Sequence, residues 1–481
     1  MLFNSVVFLV FLPIVFAVYW AIRDWRVKNF FILVASYVFY GWWDWRFLVL
    51  IVFTSGWSYI VGIAELRHWQ SRQANGSKWL LISSLVVNLG ILGFFKYFNF
   101  FIDSFNAVAS ACMPAILVPN IASLHVVLPV GISFYTFQAL SYTIDVYRRK
   151  VVPVRDPIAF FAFISFFPQL VAGPIERASN LLPQFLKPRF FDCVLAVEGC
   201  RQMLWGFFKK VMVADACAQV ADSILQSPNQ SGAMLWIGIL CFAFQIYGDF
   251  SGYSDIAIGC SKLFGIRLMR NFRCPYFSRD IAEFWRRWHI SLTSWFKDYL
   301  YIPLGGSRCG KMVGIRNTFL VFIVSGLWHG ANWTFVCWGL FHALCFLPLF
   351  LMGRNRKYVT DCVAQGRLLP NFAECLQLAM TFFVVLVGWT FFRAPDVGSA
   401  FCWLARMFSD MSLAKVSMSG LGLRHVALPL VTMLLIEWCN RFREIPHMPQ
   451  CRFFRWGIYY VVVLCLVFAR PKSQTFIYFN F

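Results

Sequence analysis

Long apolar runs alternate with short basic clusters along nearly the whole chain. Runs of this length with so few charges predict membrane-spanning helices rather than strands. Residues 6–22 form the first, followed by Arg23, Arg26 and Lys28. Residues 30–43 and 47–63 predict a hairpin about Asp44, and the next loop carries Arg67, His68, Arg72 and Lys78. Residues 79–95 lead to a mixed segment at 100–123, and 126–144 returns to Arg148, Arg149 and Lys150. Basic loops mark the cytoplasmic side, so the N-terminus is expected outside.

The middle of the chain breaks this rhythm. Residues 157–175 are apolar but interrupted by Phe167-Pro168-Gln169 and Ala172-Gly173-Pro174. Proline and glycine at that spacing predict a re-entrant or buried segment, since irregular backbone is tolerated at membrane depth only against protein or a cavity. Residues 195–225 carry Arg201, Lys209 and Lys210 and fit a span or an interfacial helix equally. Residues 234–247 predict a span running into a glycine-bearing stretch at 248–255, which holds Asp249 and Asp255. A solvated turn and a functional role fit these two carboxylates about equally.

Residues 280–300 read as an amphipathic helix. At about 100° per residue, Ile281, Phe284, Trp285, Trp288, Leu292, Trp295, Phe296 and Tyr299 share one arc, with Asp280, Glu283, Arg286, Arg287, Ser294, Lys297 and Asp298 opposite and His289 just off the apolar edge. Such a helix is expected on the membrane surface or packed by its stripe against the bundle. Residues 319–352, without Asp, Glu, Lys or Arg, predict a hairpin or a broken pair of helices. Spans at 373–392, 426–438 and 456–468 complete the chain. The pattern predicts an all-α polytopic membrane protein of roughly ten to twelve spans, with both termini outside. We read 1–481 as one membrane-embedded domain, with N-terminal spans at 1–150, a core at 151–353 and C-terminal spans at 354–481.

Composition agrees: 59% of the residues are hydrophobic and 14% charged, against about half and a quarter in soluble domains. The net charge of +21 suggests nucleic acid, but the basic residues lie in loops between apolar runs, where anionic lipid is the expected partner. The 16 cysteines are scattered without a C-x-x-C pair, which argues against a disulfide framework or a zinc site.

Candidate chemistry gathers on histidine. His68, His425 and His447 fit solvated or interfacial positions, and His125 is uninformative. His289, His329 and His342 lie in or beside apolar segments but not at metal-ligand spacing, so no metal site is expected. No nucleophile elbow or phosphate loop is present. His329 lies in Ser325-Gly326-Leu327-Trp328-His329-Gly330-Ala331-Asn332-Trp333, where the two glycines are expected to leave room for approach to the ring. On these residues alone, a packed core histidine and a reactive one are evenly matched.

Six stretches carry a resemblance. They are Leu128 through Gln138, Phe167 through Ile175, Gln245 through Asp255, Glu283 through Leu292, Leu327 through Gly330, and Phe476 through Phe481. In this order they resemble the membrane-bound O-acyltransferases, and within them the bacterial alginate O-acetyltransferase branch, over nearly the whole chain. The resemblance implies a ring of membrane helices around a central cavity or tunnel. It implies that His329 is the catalytic histidine and that His289 holds the second signature position, where relatives carry His or Asn. Trp328, Asn332, Asp249, Asp255, Arg286 and Arg287 are further candidates for the cavity or the donor. The implied activity moves an acyl group, usually acetyl, from a cytoplasmic thioester such as acetyl-CoA towards the outer face of the bacterial inner membrane. There a secreted or membrane-anchored partner, working with the polysaccharide export machinery, esterifies an exported glycan. No bound cofactor and no nucleic acid are expected. A polysaccharide or carrier flippase is the competing class, and a structural anchor for a secretion complex a weaker third.

Overall fold

We describe a computed structural model covering all residues except 72–73, 113–120, 125–126, 172, 228–229, 413–421, 469–475 and 478–481. The described residues are helical, with no strand among them. Among the described residues six helices are long and apolar enough to cross a membrane: Trp45–Gln70, Gly76–Cys112, Gly232–Leu263, Lys311–His329, Trp333–Leu351 and Phe372–Arg393. Shorter apolar helices include Val6–Ala21, Pro157–Leu170 and His425–Cys439. The chain divides into two compact units, one made mainly of Met1–Asp192 and one of most residues from Cys193 onwards.

In the first unit the expected hairpin forms. Helix Trp25–Gly41 is capped by the Asp24 carboxylate, which accepts from Arg26 N at 2.8 Å and Val27 N at 3.0 Å. Asp44 caps the short turn Trp45–Phe47 in the same way, satisfying an amide the next helix leaves open. Helix Ile132–Tyr147 is buried along most of its length. Gly131 at its start has φ +76°, and a Cβ there would stand 2.5 Å from the Leu170 carbonyl oxygen, so only glycine fits. That contact joins the first two resembling stretches, and Gln138 strengthens it. Its amide donates to the Phe163 carbonyl at 2.8 Å, and its oxygen accepts from Gln169.

The proline-broken segment is indeed irregular. Helices Pro157–Ser165 and Phe167–Leu170 are separated at Phe166, and no further helix starts until Ala178. Phe167 N finds its acceptor in Ser36 Oγ at 3.1 Å, as buried backbone requires.

In the second unit, helix Cys193–Phe207 continues through a π-helical turn, Phe208–Ala214, into Asp215–Leu225. It packs along Gly232–Leu263, a single helix of 32 residues. A solvated turn at 248–255 is therefore excluded, and the glycines there serve helix packing instead. A Cβ on Gly206 would lie 2.6 Å from Gly252 O, one on Gly252 2.8 Å from Gly206 O, and Gly199 and Gly259 make the reciprocal contact at 2.5 Å. Small residues at this spacing let two backbones touch.

The amphipathic helix expected at 280–300 is also corrected. It is two short helices, Ile281–Arg287 and Ile290–Phe296, ending in a π-helical turn, Lys297–Tyr301. The polar side of its first half is turned inwards: Glu283 and Arg287 are buried, and Glu283 Oε1 pairs with Arg279 at 3.0 Å and Arg287 at 2.6 Å, while Lys297 in the second half is exposed. Burial on both sides of Ile281–Arg287 rules out a surface position for that half, because a charged face turned inwards needs internal partners rather than water.

The hairpin at 319–352 forms as Lys311–His329 and Trp333–Leu351. Gly326 does not open space beside the imidazole. A Cβ there would meet the Phe335 carbonyl oxygen at 2.2 Å, and one on Gly339 the Phe322 oxygen at 2.3 Å, so these glycines let the two helices close on each other.

Candidate active site

His289 stands in the break between the two short helices, with φ +44° and ψ 55°. Left-handed backbone is uncommon outside glycine, and Asn, Asp and His are the side chains enriched there. A network holds it: Ile290 N donates to Asn271 O at 2.9 Å, and Asn271 Oδ1 accepts from Ser291 N at 3.3 Å and Ser291 Oγ at 2.9 Å. Because the Ser291 amide can only donate, it fixes which end of Asn271 is oxygen. Asn271 Nδ2 then faces Ser254 Oγ at 3.2 Å. The His289 Nδ1 atom, 3.1 Å from Asn271 Oδ1, must therefore carry its proton and donate. Nε2 is left as the acceptor nitrogen, buried and without a hydrogen-bond partner. The residue is 1% exposed, and burial pushes its imidazole down to about 3, so the ring is neutral.

His329 ends helix Lys311–His329 and is 3% exposed. Aromatic rings wall it: Trp328 at 4.9 Å between centroids, Trp338 at 5.1 Å and Phe392 at 5.4 Å. The His289 and His329 rings lie 6.5 Å apart, and the Trp328 ring stands 5.7 Å from His289. Two histidines forty residues apart in sequence thus share one buried aromatic chamber. Phe250 closes the far side of His289 at 4.6 Å. His342 lies one layer further out, between Trp285 at 5.0 Å and Trp338 at 5.1 Å, with its Nε2 in the place a Gly388 side chain would occupy.

The other candidates fall into separate groups. Asp249 is 2% exposed and pairs with Lys210 Nζ at 2.8 Å, which also pairs with Asp215 at 2.8 Å. Its second oxygen accepts from Ile477 N at 2.7 Å, and the neighbouring Phe476 ring packs 4.3 Å from Tyr253. Asp249 therefore docks the end of the chain beside Phe250; Tyr478 through Phe481 of the last resembling stretch lie outside the described residues. Asp255 accepts from Lys209 and from Gln202 Nε2, the latter at 2.9 Å. It lines a narrow polar cleft with Lys209, Tyr247, Arg270, Asn271 and Glu437, of about 30 Å³, room for one or two waters.

Arg286 donates to the carbonyls of Asn355 at 2.7 Å and Tyr358 at 3.1 Å, and Arg287 is held by Glu283 and the Asp361 carbonyl. Both guanidinium groups hold the 355–361 loop. Asn332 lies half-buried in the bend after His329 and groups with the first unit. Among the described residues no trio of His, Cys, Asp or Glu is placed to hold a metal. Asn271 and the Trp338 and Phe392 walls went unnoticed in the sequence. An asparagine 18 residues before His289 gives no local signal, and Trp338 and Phe392 read only as parts of apolar runs.

The two buried imidazoles and the indoles around them lie inside an all-helical membrane protein, an arrangement with which acid–base chemistry on an apolar or shielded substrate is compatible. The model of the MBOAT, membrane-bound O-acyltransferase family, matches residues 91–388, and the chain belongs to that family. It is an acyltransferase. It is 41% identical to the "Probable alginate O-acetylase AlgI" of Pseudomonas syringae pv. tomato, over 89% of this chain and 79% of that one. It is 34% identical to the peptidoglycan O-acetyltransferase of Helicobacter pylori, over 89% and 82%. The teichoic acid D-alanyltransferase of Streptococcus thermophilus matches at 29% over 61% and 75%.

Proposed function

We propose that this chain moves acetyl from a cytoplasmic thioester, such as acetyl-CoA, across the inner membrane for O-acetylation of an exported polysaccharide, alginate-like or another envelope glycan. A secreted or membrane-anchored transferase beside the export machinery completes the transfer. The observation that carries this reading is the neutral, buried His289 ring 6.5 Å from His329 inside indole walls. The similarity to O-acetylating relatives supports the acyl group and the glycan class.

His329 is the general base. It takes the proton of an acceptor hydroxyl as the oxygen attacks the thioester carbonyl carbon, and the carbonyl π electrons move onto oxygen. Collapse of the tetrahedral intermediate breaks the C–S bond, and the imidazolium returns its proton to the departing thiolate. The products are an ester and a thiol. Trp328 Nε1–H is the donor we assign to the oxyanion. His289, with its proton held at Nδ1 by Asn271, offers a lone pair at Nε2 and so orients the hydroxyl or accepts its hydrogen bond rather than serving as an oxyanion donor. The indole walls exclude the water that would hydrolyse the thioester.

The test is His329→Ala in cells. Exported polymer made in normal amount but stripped of ester groups is the expected result. Unchanged O-acetylation overturns the catalytic assignment, and loss of the polymer itself points to transport instead.

A further inference from the structure

The first unit buries two cations that the acyltransferase chemistry does not use. Lys28 is 5% exposed and Arg189 8%. They converge where helix Val6–Ala21 ends, helix Trp25–Gly41 begins, and the segments around 189 and Phe264–Leu268 pass. Both lie over the Tyr19 ring, Lys28 Nζ at 5.2 Å and the Arg189 guanidinium at 5.8 Å from its centroid. Lys28 also stands 4.2 Å over Trp20, and Arg189 lies 5.2 Å from Phe185.

Every hydrogen-bond acceptor they have is neutral. Lys28 donates to the Arg189 carbonyl at 3.3 Å; Arg189 donates to the Gln184 carbonyl at 3.0 Å and to Asn29 Oδ1. Arg189 Nε is buried with no acceptor, and two of the three ammonium protons of Lys28 are uncommitted. Neither residue forms an ion pair among the described residues. Asp24, the acid nearest Lys28 in sequence, spends its carboxylate capping Arg26 N and Val27 N. Other buried cations are satisfied: Lys210 has two carboxylates, Arg287 has Glu283, and Arg441, without an acid, spends its Nε, Nη1 and Nη2 on four backbone carbonyls, whereas Arg189 Nε finds no acceptor among the described residues. Two like charges taken out of water are costly unless an opposite charge joins them, and ring faces and carbonyls offset only part of that cost.

The rim indicates what that opposite charge is. Arg23, Arg26 and Lys187 are exposed around the cluster. Phe190 and Phe191 point outwards, 82% and 52% exposed, with Phe191 stacked edge-on to Trp20 at 5.4 Å. Basic residues with exposed aromatics at the end of an apolar helix are the arrangement of a headgroup boundary. We propose that Lys28 and Arg189 form a binding site for the phosphate of an anionic membrane lipid, which supplies the negative charge the cluster lacks.

The experiment uses the full chain in nanodiscs of phosphatidylcholine, with or without phosphatidylglycerol, read by native mass spectrometry and thermal unfolding. The wild type is expected to retain phosphatidylglycerol over phosphatidylcholine and to melt higher in its presence. Lys28→Gln and Arg189→Gln are each expected to cut that retention by roughly fivefold, while melting no lower than wild type in phosphatidylcholine alone. Lys28→Arg is expected to keep it. Absence of any preference in the wild type overturns the proposal even if the variants fail to fold. Variants destabilised equally in both lipids also overturn it, by making the cluster purely structural. If inorganic phosphate in phosphatidylcholine discs reproduces the stabilisation, the lipid source is wrong and a soluble phosphate takes its place.

Discussion

The two histidines of the chamber stand on different kinds of backbone. His329 sits at the end of a regular helix and is walled by Trp328, Trp338 and Phe392. His289 sits on left-handed backbone in a broken helix, and one asparagine fixes its tautomer. A hydrogen-bond network defines the proton and spends backbone strain to do so. In the mechanism we propose, His329 transfers the proton and His289 offers one fixed lone-pair direction.

Four measurements sharpen or break that contrast. The largest effect is expected from His329→Ala, which should lower transfer by about 10²–10⁴-fold with little loss of folding, since a general base contributes about that much. A loss under tenfold would remove His329 from proton transfer. His289→Asn should retain far more activity than His289→Ala, because Asn tolerates left-handed backbone and keeps a polar group. His289→Gly should fold as well as wild type and stay inactive, separating the backbone role from the ring. If Gly and Asn variants are equally active, the ring has no role.

Asn271→Ala removes the acceptor that holds the His289 proton on Nδ1. It should lower the turnover rate more than it weakens donor binding, and Asn271→Asp should restore part of the loss. Equal losses in both parameters would mark Asn271 as structural only. The smallest effect concerns pH. Unfolded His289 takes up a proton below about 6.5, whereas in the folded protein burial delays protonation to about 3. Stability from this residue is therefore complete above about 6.5 and falls as pH drops through that window, by at most about 1.4 kcal/mol per pH unit. His289→Asn should flatten the acid side of the melting-temperature curve, and an unchanged slope would place His289 in contact with water.

Much of the fold was legible because bilayer-length apolar runs and basic loops obey simple rules. The Asp44 hairpin, the proline-broken segment after residue 157 and the break after His329 all follow from local residues. Two readings failed for one shared reason. Gly248, Gly252 and two carboxylates read equally as a solvated turn or a functional feature, yet they lie inside a 32-residue helix whose glycines meet Gly206 and Gly199 of another segment. The stripe at 280–300 read as one amphipathic helix, at the surface or packed on the bundle, yet it is broken at His289 and the charged side of its first half is turned to Arg279 and the 355–361 loop. In both cases a distant partner changed the meaning of a local pattern.

The sequence by itself determined an all-helical membrane protein, its family and His329 as the residue to test, because hydropathy and short motifs are properties of neighbouring residues. Only the tertiary structure decided that His289 and His329 share a chamber, that Asn271 sets the His289 proton, that Asp249 docks the chain end, and that Lys28 and Arg189 face each other without an acid. These depend on contacts across 18 to 228 positions of sequence, where periodicity carries no information and only packing brings the groups together.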